Sequence, residues 1–269
     1  MHLGIAGRIW SVAANIRQRK IMMNLRLALP VLLALASPAA ALDLDAMTPD
    51  ERAAFRAEVR AYLLDNPEVL QEAIGVLQMR EQQAQAQQDA ALVQANADAI
   101  FNDGHSFVGG NPDGDITVVE FMDYRCGYCK RAFPEVEALI AGDGNIRYIV
   151  KEFPILGEAS VLASRFAIAT QIVAGDAAYK DVHNTLMEFN GEITAQSLTR
   201  LAEALNLDIA AITAEMDSDA VTRIIAENRA LAGTLAITGT PTFVFENQLV
   251  RGYVDGNQME QLVAALRAE

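Results

Sequence analysis

Two cysteines, Cys126 and Cys129, stand in a C-x-x-C spacing directly after an apolar run, Ile116 to Phe121, that reads as a strand. Helix-compatible residues follow: Arg131, Ala132, Phe133, Glu135, Val136, Ala138, Leu139 and Ile140. Cys126 therefore falls at a helix start, where free backbone N–H groups and the helix dipole favour negative charge. A thiolate there is stabilised, with a pKa below the free value of about 8.5. Cys129 lies one turn on, close enough to bond to Cys126. Such a bridge closes a very short loop and stabilises the fold little. Reversible dithiol chemistry explains the pair better than a structural staple. Attachment of a c-type haem calls for His after the second Cys, where this chain has Lys130. A structural zinc site needs four ligands, and the chain has no third cysteine and only His2, His105 and His183. No metal site and no cofactor are expected.

The 269 residues suit one or two domains. A hydrophobic content of 52% with only 6% aromatic residues points to a helix-rich globular protein. The net charge of −14 argues against nucleic acid as a partner. Arg26, the apolar run Leu27 to Ala36, and Ala39-Ala40-Ala41 read as a signal peptide cleaved near Ala41. Its apolar core is too short to span a bilayer easily, although an uncleaved anchor is the alternative. Met22 or Met23 would serve as its start, leaving residues 1–21 as an upstream extension or a long basic n-region. Export implies a periplasmic location, an oxidising compartment where disulfides persist.

Thr48-Pro49-Asp50-Glu51 is a helix start with Thr as N-cap, Pro at the first position and Glu three residues after Thr. Asn66-Pro67-Glu68 begins a second helix that should run to about Asn102, or about 50 Å. Its first part is amphipathic, and residues 81–88 are mostly Gln and Ala with little to bury. Phe55, Val59, Tyr62, Leu63, Leu70, Ile74 and Leu77 form a stripe that must dock on the body or pair with copies of itself. The body starts near His105: a short edge strand, the Ile116–Phe121 strand, the Cys helix and a strand from Ile146 to Phe153. Parallel pairing of the last two strands is expected. Helices at 159–174, 177–189, 195–205, 209–217 and 219–235 come next. Thr238-Gly239-Thr240-Pro241, strands at 242–245 and 248–251, and a last helix at 257–268 complete the chain.

This order resembles the thioredoxin fold, and the helical insertion resembles that of the DsbA-like exported thiol oxidoreductases. The motifs that carry the likeness are Phe121-Met122-Asp123-Tyr124-x-Cys126-Gly127-Tyr128-Cys129-Lys130 and Gly239-Thr240-Pro241-Thr242-Phe243. Residues 47–100 are similar, more loosely, to the N-terminal region of the suppressor-of-copper-sensitivity C (ScsC) branch, some members of which trimerise and act as disulfide isomerases. The implied fold is α/β, a thioredoxin fold with a large helical insertion, preceded by an extended helical N-terminal arm. The implied organisation is a signal peptide over 1–41, an oligomerisation arm and linker over 42–102, and a thioredoxin-like domain over 103–269 with its insertion at about 157–237.

The resemblance makes Cys126 the attacking thiolate, Cys129 the resolving thiol and Pro241 a cis-proline facing them. Thr240 would offer its backbone to an extended substrate. The Gly127-Tyr128 dipeptide lacks the His of the most oxidising DsbA proteins, which suggests a less oxidising potential. Glu120, six residues before Cys126, would be a buried acid that relays the Cys129 proton. An ion pair with a neighbour such as Lys151 is its alternative role. His183 reads as a packed or surface histidine. The expected function is exchange of disulfides with protein substrates, as isomerase or oxidase, with a membrane redox partner and a homo-oligomer, a trimer on the resemblance, assembled through residues 45–80. The alternatives are a thiolate-based copper-handling protein, which no Met or His cluster supports, and a monomeric DsbA-type oxidase.

Overall fold

A computed structural model describes residues 45–268. The expected signal peptide lies outside the described residues. Two compact units divide the chain between Gln71 and Glu72. In the first, helix α1 (Pro49–Asp65) begins with the expected capping box: Glu51 N–H donates to Thr48 Oγ1 at 3.3 Å, and Thr48 N–H donates to Glu51 Oε2 at 2.9 Å. Asn66 ends it by donating Nδ2 to the Tyr62 carbonyl at 2.9 Å. None of the α1 side chains is buried. Phe55, Val59, Leu63, Leu64 and Leu70 line an apolar hollow of about 460 Å³ within this unit.

Helix α2 (Glu68–Ala95) leaves residues 81–88 exposed, as their Gln/Ala composition dictates, and buries Asp89 and Val93. It ends earlier than the expected Asn102. Asn96 has non-helical dihedrals and donates its side-chain amide to the Leu92 carbonyl at 2.8 Å, which interrupts the helix before the short α3 (Ala97–Phe101). The packed part of the second unit thus reaches back to Asp89, well before His105.

Strand β1 (Phe107–Gly110) is followed by β2 (Ile116–Met122), α4 (Gly127–Asp143) and β3 (Ile146–Glu152). Helix α4 closes on Gly144, whose φ of 72° is the left-handed conformation that glycine adopts freely. The insertion comprises α5 (Glu158–Glu188), α6 (Ala195–Ala204), α7 (Ile209–Met216) and α8 (Asp219–Thr234). Gly175, at φ 84°, breaks α5 at the position where two separate helices are expected. Strands β4 (Thr242–Phe245) and β5 (Gln248–Arg251) precede α9 (Gly256–Leu266).

The five strands are ordered β1-β3-β2-β4-β5, with β2 and β3 parallel and the other neighbours antiparallel. Every β2 residue but Thr117 is buried, because helices cover both faces of the sheet. Val118 and Met122 face one core, with Tyr148, Val150, Phe243 and residues of α4, α5 and α9. Val119 and Phe121 face the other, with Val93 and Ile100 from α2 and α3 and Leu231 from α8. Asp89 on α2 receives both ends of the Arg251 guanidinium at 2.7 and 2.9 Å, fastening the helix to the β5 edge.

Candidate active site

The parallel β2–α4 unit brings the chain out of the sheet at Met122 and into the helix at Cys126. Asp123 shapes the turn between them. Its main-chain carbonyl accepts the Cys126 N–H at 3.0 Å. Its buried carboxylate accepts the Arg125 N–H at 2.8 Å, the Ser160 hydroxyl at 2.8 Å, and the Ile155 and Leu156 N–H groups at 2.8 and 3.0 Å. One side chain thereby ties the thiol turn to the loop after β3. Tyr124 donates its hydroxyl to Glu152 at 2.7 Å, as Tyr179 also does, and Ser164 donates to the second oxygen. Lys130 caps the end of α5, donating to the Leu186, Met187 and Phe189 carbonyls.

Cys126 is the N-cap of α4 and Cys129 sits in its first turn; both are free thiols. The Thr240–Pro241 bond is cis. The Thr240 carbonyl accepts a hydrogen bond from Cys126 Sγ at 3.1 Å, so the Gly239–Phe243 segment lies against the thiol. Cys126 is less open than an attacking thiol is expected to be, at 7% exposure, because this segment covers it. Beside it Tyr128 is exposed, as are Ile155 and Leu156. Gly127 is exposed too, and a side chain there would meet nothing within 4 Å.

The sulfurs differ in acidity. A hydrogen bond from Cys129, opposed by partial burial and aided by the Thr240 side chain and the Cys129 and Tyr128 amide N–H groups, brings Cys126 down to about 5. Burial, followed by the same sulfur–sulfur hydrogen bond and the nearby Glu120, pushes Cys129 upward. Glu120 is buried on β2, and burial raises it to about 7. Tyr148 on β3 donates to its Oε2 at 2.5 Å, and its Oε1 has no hydrogen-bond partner. Lys151 does not pair with it. Glu120 lies opposite Val150 and Lys151 opposite Phe121, so the strand alternation sends the two charges to opposite faces. Lys151 instead binds Asp103 and the Ala99 carbonyl. His183 is buried against Tyr124, Phe133 and Tyr179.

Cys126, Cys129, Glu120, Gly127, Tyr128, Thr240 and Pro241 therefore share one region. Asp123 and Tyr148 are residues to which the sequence reading assigns no role. Strand alternation is the signal for Tyr148, which lies two residues before Val150 and so on the Glu120 face.

Residues 117–267 match the DSBA-like thioredoxin domain family. The chain belongs to that family. Residues 51–84 match a second family, the copper resistance protein ScsC N-terminal domain. Among solved structures, a thioredoxin-like oxidoreductase from Silicibacter pomeroyi is 41% identical, with a TM-score of 0.61 over 65% of this chain and 99% of that one. A linker-deletion mutant of Proteus mirabilis ScsC is 27% identical, with a TM-score of 0.61 over 83% of this chain and 98% of that one. A curated relative of this DSBA-like chain is the Na(+)/H(+) antiporter NhaA 3 of Salinispora tropica, 30% identical over 136 residues. That match takes in 51% of this chain and 21% of the antiporter, so the chain spans about a fifth of that relative's length. Among the described residues, no helix is long and apolar enough to cross a membrane.

Proposed function

We propose that this chain is an exported thiol–disulfide oxidoreductase that exchanges disulfides with protein substrates through Cys126 and Cys129. The observation that carries the reading is the Cys126 sulfur at the N-terminal end of α4, 3.1 Å from the Thr240 carbonyl and beside the cis Pro241. When a client disulfide is reduced, the Cys126 thiolate attacks one client sulfur. A bond forms between Cys126 and that sulfur, and the second client sulfur leaves with the electron pair of the broken bond. Cys129 then gives its proton to the Glu120 carboxylate and attacks Cys126. The intramolecular disulfide forms and the first client sulfur leaves as a thiolate. Run backwards, the same steps oxidise a dithiol client. An extended client segment pairs with the Thr240 main chain, with Tyr128, Ile155 and Leu156 exposed nearby.

The arm favours isomerisation. Its match to the ScsC N-terminal domain, together with exposed Phe55, Val59, Tyr62, Leu70, Ile74 and Leu77, supports a homo-oligomer, a trimer on the family likeness, assembled through residues 45–80. Several catalytic domains around one stalk give a misfolded client room between reduced thiols. The signal-peptide reading of residues 1–41 supports a periplasmic site of action, an oxidising compartment, where a membrane redox partner would act. The copper-handling alternative rests on two thiolates. Among the described residues, no group of three or more His, Cys, Asp or Glu side chains is placed to hold a metal ion. An insulin-reduction assay run beside a scrambled-ribonuclease assay tests the reading. Activity in both is expected; activity in the first alone makes the protein an oxidoreductase without isomerase function, and activity in neither contradicts the proposal.

A further inference from the structure

The thiol chemistry proposed above leaves one question open: where the proton goes after Glu120 has taken it from Cys129. Glu120 is 1% exposed, so its carboxyl does not meet bulk solvent directly. One of its oxygens is unpartnered and the other is held by Tyr148. Tyr148, 4% exposed itself, lines a separate cavity of about 200 Å³ together with Phe107, Glu137, Lys180, His183 and Asn184. Lys180 is exposed and Glu137 is half-buried, so the cavity has a solvent-facing rim. The Asn184 side-chain oxygen in its wall is buried without a protein partner, which makes the wall polar.

We infer that Tyr148 is the positioning residue through which Glu120 exchanges its proton with this cavity. The inference rests on the assignment of Glu120 as the base for Cys129. In the resetting step the O–H bond of protonated Glu120 breaks and its proton passes to the Tyr148 oxygen. The Tyr148 hydroxyl proton passes in turn to solvent water in the cavity that the residue lines. Tyr148 ends neutral and Glu120 ends ionised, ready for the next Cys129. The same hydroxyl, while it donates to Oε2, favours the ionised carboxylate and so keeps the base available near neutral pH. The titratable groups that act on Glu120 are Tyr148 from β3, Cys126 and Cys129 at the start of α4, and Tyr179 from α5. Strand β4 presents only Phe243 opposite it. Glu137 on α4 acts on Tyr148 from the other side.

The test is the rate at which the Cys126–client mixed disulfide is resolved, followed against pH by rapid mixing of the full chain with a disulfide-bonded fluorogenic peptide. In the unaltered protein the rate should climb with pH as Glu120, whose pKa burial holds above the ordinary carboxylate range, ionises. Glu120→Gln should remove that climb. Tyr148→Phe should keep it but move it upward by about one pH unit, a roughly tenfold loss of rate below the original midpoint. Because resetting follows resolution, Tyr148→Phe should also turn over more slowly in repeated cycles under excess glutathione than in the first resolution event. Repeated cycles in Tyr148→Phe that keep pace with the first, in a protein whose profile does depend on Glu120, overturn the inference and leave the oxidoreductase reading intact. Failure of the unaltered protein to cleave the peptide removes that reading and this one together. Should Tyr148→Phe not fold, the unaltered protein decides by NMR. The Tyr148 hydroxyl proton should follow the Glu120 titration and exchange with solvent faster than turnover; a hydroxyl that exchanges more slowly than turnover overturns the route.

Discussion

Cys126 and Cys129 are one helical turn apart and move in opposite directions: burial, the larger effect on Cys129, keeps its proton on, and the hydrogen bond that proton donates lowers Cys126. The partly covered sulfur at the helix start becomes the acceptor, and the buried one keeps its proton. Alkylation of the reduced protein should therefore modify Cys126 first, and its ultraviolet thiolate absorbance should titrate with a midpoint near pH 5. Equal, slow labelling of both sulfurs would contradict the assignment. The same shift has a consequence for stability. In the reduced protein Cys126 is ionised when folded and protonated when unfolded between about pH 5 and pH 9, so the unfolded state binds more protons and stability rises with pH across that window. Glu120 acts with the opposite sign. In the reduced protein its raised pKa costs stability as pH climbs from 4.5 to about 7. Above about pH 7 Glu120 has finished titrating, so the difference between the reduced and oxidised proteins there reads Cys126. That difference, read from denaturant midpoints in each redox state, should grow in favour of the reduced form from pH 7 toward pH 9; a flat difference would contradict the thiolate assignment. At this scale the candidate thiol pair and its place at the start of α4 were legible from spacing, since C-x-x-C after an apolar run admits few other chemistries. The Glu120 partner was not. Whether a buried carboxylate meets Lys151 or Tyr148 depends on strand register, and a shift of one residue exchanges the faces.

At the scale of elements, Asp123 is the side chain on which the site geometry depends most. Replacing it with Ala leaves the Arg125, Ile155 and Leu156 N–H groups and the Ser160 hydroxyl without their acceptor. Asp123→Ala should cost about 3 kcal/mol in denaturant unfolding, and Asp123→Asn, which keeps one acceptor oxygen, about half of that. Loss of well under 1 kcal/mol would show that the turn holds itself. The order of strands and helices was legible because each is bounded by its own punctuation: the Thr48 capping box, Gly144 after α4, and Gly175 inside the long insertion helix. The end of α2 was not. Asn96 carries no strong stop signal in the sequence, and the helix breaks there because its amide finds the Leu92 carbonyl while Val93 and Ile100 dock on the sheet. Burial of Val93 and Ile100 also means that shortening the chain to Asn102 would strip residues from a core, so any test of the arm belongs on the full-length chain.

At the scale of the whole molecule, the proposal joins two matched families in one chain, a DSBA-like thioredoxin domain and an ScsC N-terminal domain. The apolar side chains exposed on residues 45–80 should be satisfied by copies of the same chain. Light scattering of residues 42–269 should give an oligomer at micromolar concentration. Leu70→Glu together with Ile74→Glu should dissociate it, removing scrambled-ribonuclease activity while sparing insulin reduction; a monomeric unaltered protein would contradict the arm's proposed role. In the proposed reaction Cys126 forms a bond to client sulfur and Cys129 breaks it, and trapping reads that bond directly. The full chain carrying Cys129→Ala, mixed with a disulfide-bonded protein client, should accumulate a covalent complex that a reductant releases and that Cys126→Ala abolishes. Absence of the complex, or a complex that persists in Cys126→Ala, would contradict the account.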